Sequence, residues 1–229
     1  MLKPISGEEF INFRNICLKN DNFTEYSKEG NTICYQGINI KPGYFCTKAI
    51  TTDLFVKYSV QQIFDFLNDE NFRNQWDALL MSREIIKQID DCNQIIHYCT
   101  TLPMISKRDY VYYKSIWMSD DKEEFIILNK SVDIPECPEV NGFVRALCEM
   151  SGYMVKKNEK GENVFYYYAY NAFGGWVPTW VVNSLISSQG YSLLKKLSEC
   201  CEKYPEWKKT HNPEEKPWNL LKDKVIIPK

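Results

Sequence analysis

Histidine is scarce in this sequence, with two residues among 229. His97 lies on an alternating, strand-like segment with no serine or cysteine nucleophile motif beside it, and His211 lies in the charged C-terminal segment. Acyl-transfer enzymes of the triad type need a histidine that is paired with such a nucleophile. The sequence therefore predicts a protein that is not an enzyme and needs no cofactor.

Strong net charge and long apolar runs are also missing. The formal net charge is −2, which argues against a protein that works by covering nucleic acid or an anionic membrane. No run of 18 apolar residues occurs, and the first residues contain no long apolar stretch, so we expect neither a membrane span nor a secretory signal. We expect a cytoplasmic monomer that contacts membranes only peripherally.

Cysteine is present but is not arranged for metal binding. Nine cysteines form an odd-numbered set, and the only close pair, Cys200 and Cys201, lies on a predicted helix, where adjacent side chains point apart. Free thiols in a reducing compartment are the simplest interpretation, and no metal site is expected. Fifteen tyrosines and twelve phenylalanines suit the walls of a cavity as well as a packed core.

The residue patterns predict helix, strands, helix, six strands and a long helix. Two capping boxes, at Ser6–Glu9 and Ser59–Gln62, predict helices over residues 6–20 and 59–68. Residues 20–31 are polar and predict a loop. Alternation predicts strands over 32–39, 44–58, 82–90, 93–101, 108–117, 124–133, 142–157 and 163–172.

The last predicted element organises the rest. Gly174-Gly175 interrupts the preceding strand pattern, Pro178 suits a first helical turn, and apolar residues then recur at helical spacing to about residue 204. Gly190 is the one weak point of this helix. Its apolar face could cover an ordinary core or a cavity. Residues 205–229 are charged, contain four prolines and predict a tail that wraps the surface or is partly mobile.

Consecutive hairpins require an antiparallel sheet, and a long closing helix should cover one face of it. The predicted fold class is therefore α+β, with a curved antiparallel sheet around a long C-terminal helix. Residues 1–229 contain neither an internal repeat nor a linker, so we expect a single domain with a core over about residues 30–204.

Four motifs occur together in order: Phe72–Asp77, Ser106–Tyr112, Gly142–Arg145 and Gly174–Trp180 with Asn183. The set resembles the START family of lipid transfer domains. The resemblance implies the helix-grip form of the fold just described, with an internal lipid tunnel between sheet and helix. It also implies that the protein binds a single lipid and transfers it between membranes.

Arg73 and Asp77 are the first candidates for the lipid site. They are four residues apart and share a face of any helical turn. Taken alone they could form a surface ion pair of at most about 1 kcal/mol. The flanking Phe72 and Trp76 favour partial burial instead. The resemblance implies that Arg73 binds a lipid phosphate and that Asp77 supports it.

The resemblance also implies roles for Tyr98 and Tyr110. Both match aromatic residues that surround the choline group in a phosphatidylcholine-carrying member, although strand-face packing would equally explain them. Glu149 stands where a third aromatic residue of that cage is expected. A carboxylate can neutralise an ammonium or accept a hydrogen bond from a hydroxyl group, so a range of phospholipids broader than choline lipids is expected.

Three further residues complete the predicted lipid-binding set. Lys114 matches a buried cation of sterol-binding relatives and lies, like Arg145, on a strand, where either could be structural, solvated or cavity-facing. Trp180 begins the closing helix. Arg108 and Asp109 are expected to form a structural pair that braces the preceding loop.

The loop Leu102-Pro103-Met104-Ile105 is apolar, although loops normally face water. We predict that it forms a membrane gate together with the closing helix. The predicted ligand is a phospholipid, with transient contact to a membrane surface and no nucleic acid partner. Two alternatives stay open, namely a sterol or ceramide carrier and a lipid sensor that acts through a partner protein.

Overall fold

The computed structural model describes residues 3–101, 105–188 and 190–219. Its strands are β1 (Phe23–Glu29), β2 (Thr32–Gly37), β3 (Tyr44–Thr51), β4 (Leu80–Asp90), β5 (Asn93–Thr100), β6 (Lys107–Met118), β7 (Glu124–Ser131), β8 (Phe143–Arg145), β9 (Leu147–Lys157) and β10 (Asn163–Ala172). Its helices are α1 (Gly7–Leu18), α2 (Val60–Asn68), α3 (Thr179–Ser188) and α4 (Tyr191–Lys209), with 3-10 turns at Arg73–Gln75 and Pro217–Asn219. None of the helices in the described ranges combines the length and apolar character that a membrane crossing requires.

The strands form one sheet in the order β1-β2-β3-β10-β9-β7-β6-β5-β4. All neighbours on this path are antiparallel, because hairpins connect most of them. The short β8 lies off the path and pairs with β6 in parallel. With the helices α3 and α4 closing one face, this is the predicted α+β helix-grip fold, which is confirmed.

Two hydrophobic clusters lie on opposite faces of the sheet. The helix face packs against α2, α3 and α4 through residues such as Phe64, Phe165 and Leu197. The outer face packs against α1 through residues such as Phe13 and Met154. Because side chains alternate along a strand, each central strand contributes to both clusters, and the position of a residue in that alternation decides whether it can reach the helix face.

The N-terminal helix α1 forms as its capping box predicts. Ser6 Oγ accepts from the Glu9 amide, and the Glu9 carboxylate accepts from the Ser6 amide at 2.8 Å. At the other end of α1, the buried Lys48 donates to the carbonyls of Ile16 and Lys19, at 3.0 and 2.6 Å. These bonds satisfy carbonyls that a helix end leaves unpaired, so Lys48 holds α1 on the outer face.

The predicted long helix is two helices that meet at Gly190. A Cβ atom built on Gly190 would lie 2.8 Å from Tyr26 Oη and 2.9 Å from Cys34 Sγ. The chain can therefore approach β1 and β2 this closely only because residue 190 lacks a side chain. Tyr26 Oη also donates to the Ile186 carbonyl at 2.9 Å, which satisfies a carbonyl near the end of α3. The break is a packing feature rather than a weak turn inside one helix.

Helix α4 also continues past Pro205 to Lys209, beyond the predicted end at 204. Proline lacks the amide that would bond the carbonyl four residues earlier, which here belongs to Cys201. The Gln62 side chain of α2 donates to that carbonyl at 2.8 Å instead. At the start of α2 the backbone amide of Gln62 donates to Oγ of the N-cap residue Ser59 at 3.0 Å. A tertiary contact thus replaces the missing helical bond.

Three local predictions were wrong. Residues 20–31 contain β1 rather than a loop, because the polar strand pairs with β2 at the sheet edge. The strand predicted over 44–58 ends at Thr51. The strand predicted over 142–157 is divided into β8 and β9, because the Ala146 amide donates to the Asp109 carbonyl at the end of the β6–β8 pairing. Edge strands and strand breaks depend on neighbours that local alternation does not reveal.

Candidate lipid-binding site

A cavity of about 550 Å³ lies between the helix face of the sheet and the helices α3 and α4. Its size falls within the roughly 300–1,000 Å³ typical of small-molecule sites. The sheet provides one wall, the link from α2 to β4 a second, and α3 and α4 a third. The lining includes five tyrosines, Tyr98, Tyr110, Tyr112, Tyr153 and Tyr167. The cavity therefore combines apolar surface with hydroxyl groups.

The most polar part of the lining is an ion pair between Arg73 and Asp77. Arg73 Nε donates to Asp77 Oδ2 at 2.9 Å, and the two side chains are 17% and 11% exposed. Tyr98 Oη donates to both carboxylate oxygens, at 3.1 and 3.2 Å. The guanidinium carbon lies 4.5 Å from the Trp76 ring centre and 5.6 Å from that of Tyr98. The 3-10 turn at 73–75 places both charged residues on the cavity side.

Burial acts on these groups in opposite directions. Burial alone lowers the pKa of Arg73, but the Asp77 carboxylate and the surrounding tyrosines Tyr112, Tyr98 and Tyr153 together outweigh it, and the pKa is raised overall. Burial raises the pKa of Tyr98, and the Asp77 charge raises it further. Burial likewise raises the pKa of Tyr153 to about 12. At neutral pH the site thus presents a permanent guanidinium surrounded by neutral phenols.

A second group of charged residues lies on the helix face of the sheet, near Arg73. Lys114 Nζ donates to Glu70 Oε1 at 2.9 Å, and Arg83 Nη1 bonds the other oxygen of Glu70. Burial lowers the pKa of Lys114 well below its ordinary value, and the positive charges of Arg83 and Arg73 lower it further. Lys114 lines a separate cavity of about 440 Å³. Two cations share one carboxylate here.

A third charged group lies on the outer face. Arg145 donates to Asp109 Oδ2 through Nε and Nη2, at 3.1 and 2.8 Å. His97 Nε2 is 3.0 Å from the same oxygen, and Cys99 Sγ is 3.6 Å from the same His97 nitrogen. In a catalytic triad the acid and the nucleophile contact opposite ring nitrogens. This cluster does not have that arrangement.

Comparison with known proteins identifies the family. The START domain model matches residues 11–207. The chain belongs to the START domain family. START domain-containing protein 10 from Mus musculus is 28% identical over 213 residues, covering 92% of this chain and 72% of the relative. Phosphatidylcholine transfer protein from Mus musculus is 26% identical over 163 residues, covering 69% of each chain. Family membership supports lipid binding and transfer as the general function.

Solved structures show the same START fold. The crystal structure of human STARD10 has a TM-score of 0.85, is 24% identical and covers 99% of this chain and 91% of that chain. Human StAR-related lipid transfer protein 5 has a TM-score of 0.68 and 20% identity, covering 84% of this chain and 92% of that chain. At these identities the likeness concerns the fold.

The START fold brings five of the eight predicted lipid-binding residues to one cavity: Arg73, Asp77, Tyr98, Tyr110 and Trp180. Lys114, Arg145 and Glu149 are not among its described lining residues. Lys114 shares the face of Tyr110 but lies four residues further along β6, beside Glu70. Arg145 lies in register with Asp109 on the neighbouring strand, and it pairs with that residue on the outer face.

Glu149 is turned away by a strand irregularity. The pairing of β9 with β10 shifts between Tyr170 and Asn171, whose partners are Met150 and Cys148, so Glu149 has no partner on β10. Its carboxylate accepts from Tyr44 Oη at 3.2 Å. In a regular strand, the alternation of side chains would point residue 149 toward the cavity. The bulge changes this direction, so the Glu149 side chain points away from the cavity.

The predicted pairing of Arg108 with Asp109 was wrong, although Arg108 does brace the preceding loop. Adjacent strand residues point to opposite faces, so Asp109 contacts Arg145 while Arg108 donates to three backbone carbonyls. One belongs to Ser106 of the preceding loop, and the others belong to Phe173, at 3.1 Å, and Gly174, at 3.2 Å. Gly174 adopts a positive φ of 64°, which glycine tolerates best. Arg108 therefore fixes the turn that leads from β10 into α3.

Sequence reasoning missed several cavity residues. Tyr112 is two residues from Tyr110 on β6 and shares its face, so the alternation alone could have identified it. Tyr153 lies on β9, and Tyr167 and Asn171 lie on β10. These two strands pair with each other and are separated from β6 by β7. Only the sheet order brings them beside Tyr110. Lys196 of α4 also lines the cavity and is exposed to solvent.

Large apolar side chains are exposed where α3 begins. Trp176 is 81% exposed and Trp180 is 55% exposed. Of the predicted gate, Ile105 is partly buried against the helix-face core, whereas Leu102, Pro103 and Met104 lie outside the described residues. Exposed tryptophan is typical of protein surfaces that contact a membrane interface.

Proposed function

We propose that this START protein binds one phospholipid in the cavity and transfers it between membranes. The observation that carries the proposal is the Arg73–Asp77 pair, which lines a tyrosine-rich cavity beneath α3 and α4. A buried arginine without a partner costs about 3–5 kcal/mol. Asp77 balances Arg73 when the cavity is empty, and a lipid phosphate takes over that role when the cavity is filled.

Lipid exchange takes place at a membrane in this proposal. Two acyl chains contain roughly 30 methylene groups, each worth about 0.8 kcal/mol against water. Release of the lipid into water would therefore be prohibitively slow. Trp180, in the first turn of α3, lines the cavity, and Trp176 lies three residues before that helix. Both are exposed and provide the contact with the interface. Residues 102–105 complete the proposed gate.

The head-group role is tested by the lipid that stays with the protein. Arg73→Ala should retain several-fold less phospholipid than the wild type when both are purified in parallel and their lipids are quantified by mass spectrometry. Arg14→Ala is a matched control, because Arg14 forms a partly buried ion pair with Glu124 at 2.6 Å on the outer face. Equal phospholipid in Arg73→Ala and the wild type, or a sterol as the sole bound lipid, would overturn the proposal.

The membrane role is tested by transfer between vesicles. Trp176→Ser should slow the transfer of a fluorescent phospholipid by several-fold, while the bound lipid per protein stays unchanged. Leu18→Ser provides the control, because Leu18 is 42% exposed at the end of α1, on the outer face. Equal transfer rates for the wild type and both variants would remove Trp176, in the segment before α3, from the membrane contact.

A further inference from the structure

The second cavity, of about 440 Å³, lies between the sheet and the chain that follows α4. Most of its described lining belongs to β4, β5, β6 and the end of α2. Three lining residues come instead from beyond the last long helix, namely Glu215, Pro217 and Trp218. We call residues 215–218 the strap. One side of the second cavity is therefore formed by a short segment that returns over the folded body.

The strap is held on α2 by one buried carboxylate, Asp65. Lys216 Nζ donates to Asp65 Oδ2 at 2.6 Å, and Trp218 Nε1 donates to Asp65 Oδ1 at 2.9 Å. Gln61, one turn earlier on α2, also donates to Oδ1, at 2.7 Å. Among the residues that the structure describes, Lys216 is the cation paired with Asp65. A buried carboxylate is costly without such partners, so Asp65 favours the docked strap.

The connection between α4 and the strap is exposed along residues 211–214. Its bonds to the strap are local: the Glu215 amide donates to the Asn212 carbonyl at 3.0 Å, and Asn212 Nδ2 donates to the Glu215 carboxylate at 3.0 Å. Segments with exposed backbone and local hydrogen bonds open at a lower free energy than the global fold. The connection can therefore act as a hinge.

Helix α4 is fixed by contacts that precede this hinge. Lys208 Nζ and Tyr204 Oη both donate to Asp69 Oδ2, at 2.9 and 3.0 Å. The Lys208 and Asp69 side chains are almost fully buried. Opening of the strap gives up the burial of the Trp218 ring and two hydrogen bonds to Asp65, but it leaves these contacts of α4 in place.

We infer that the strap opens and closes the second cavity, with Asp65 as its latch and residues 211–214 as its hinge. Opening removes Pro217 and Trp218 from the lining and admits water and small molecules to the groups inside, among them Lys114 and the Cys92 thiol. The strap thus controls when the second cavity can accept a small molecule. Because α4 stays in place, the inference does not rest on the proposed lipid function.

Cysteine alkylation tests whether the strap opens by itself. Cys92 lines the second cavity and is buried, and Cys201 is fully buried in α4. The whole protein is treated briefly with substoichiometric iodoacetamide, and alkylation of each cysteine is quantified by peptide mass spectrometry. Cys201 reports movement of α4 or unfolding of the whole chain. Since local opening costs less than global unfolding, we expect Cys92 to react about tenfold faster than Cys201, or more.

Substitutions in the strap test the latch. Lys216→Ala removes the cation beside Asp65 and should raise the rate at Cys92 several-fold, and Trp218→Ala should raise it further because it also removes part of the lining. Lys209→Ala is the matched control, because Lys209 forms an exposed pair with Glu206 at the end of α4. It should leave the rate at Cys92 unchanged. The Cys201 rate in each sample shows that the body of the protein stays folded.

Equal rates at Cys92 and Cys201 in the wild type would overturn the inference, because the second cavity would then open only together with α4 or the whole fold. An unchanged Cys92 rate in both strap variants would also overturn it. A parallel rise at Cys201 in Lys216→Ala would place the movement in α4 and contradict the hinge. None of these outcomes changes the lipid retention expected of Arg73→Ala, so the inference and the proposed function can fail separately.

Discussion

Substitution of Asp77 by asparagine should affect the empty and the loaded protein differently. In the empty cavity the change removes the countercharge of Arg73 while keeping the shape of the side chain. Removing one partner of a buried pair costs about 3–5 kcal/mol. Because the two side chains keep 17% and 11% exposure, we expect the lower end, about 3 kcal/mol. For a chain of this length that lowers the melting temperature by roughly 6–12 °C.

A bound phosphate should remove most of this loss. If the lipid supplies the negative charge that Asp77 provides in the empty state, the loaded Asp77→Asn protein should lose only about 1 kcal/mol or less. The assay is thermal unfolding of the delipidated and the phospholipid-loaded forms of wild type and variant at equal protein concentration. The difference between the two losses measures how far the phosphate replaces the carboxylate.

An exposed ion pair provides the control for this experiment. Lys57 and Glu202 are 3.0 Å apart, with side chains that are 57% and 61% exposed. Glu202→Gln should therefore leave the melting temperature nearly unchanged, whether or not lipid is bound. Equal destabilisation of the empty and loaded Asp77→Asn proteins would refute the reasoning, because the lipid would then carry no charge that compensates Arg73.

Three other predictions concern how the fold supports the cavity. Gln62→Leu should cost about 1–3 kcal/mol in urea unfolding because it leaves the Cys201 carbonyl without a donor, and adding Pro205→Ala should recover part of that loss by restoring the amide. Gly190→Ala should destabilise the protein by about 1–3 kcal/mol in the same assay, because its methyl group enters an occupied space; equal stability would refute the close contact. Burial lowers the pKa of Lys48 from 10.5 to about 8, so the unfolded chain binds more protons between these values. The free energy of unfolding, relative to Lys48→Met, should therefore rise from pH 8 to 10.5 by up to about 3 kcal/mol and stay flat below pH 8. A constant difference in the free energy of unfolding between the two proteins from pH 8 to 10.5 would contradict the lowered pKa of Lys48.

Part of the site could be predicted from short sequence patterns. Arg73 and Asp77 are four residues apart on one turn, and Tyr98 and Tyr110 lie on strands whose hairpin pairing is local. These residues meet at the cavity because the structure that positions them is formed within about forty residues of chain. The capping box of α1 and the antiparallel hairpins were predictable for the same reason.

The residues that were misplaced depend on contacts between distant segments. Glu149 points away from the cavity because of a bulge between β9 and β10. Arg145 forms an ion pair with Asp109, which lies opposite it in the parallel pairing of β8 with β6. The predicted long helix breaks at Gly190 because β1 and β2 lie against this residue. Helix α4 continues past Pro205 because the Gln62 side chain donates to the Cys201 carbonyl in place of the missing proline amide.

The sequence by itself determined the fold class, the hairpins and the charged turn of Arg73, since these follow from the periodicity of apolar residues and from contacts within short segments. Only the tertiary structure decided which charges face the ligand. That choice depends on strand register and on competition between partners, and a shift of one residue moves a side chain to the opposite face of the sheet.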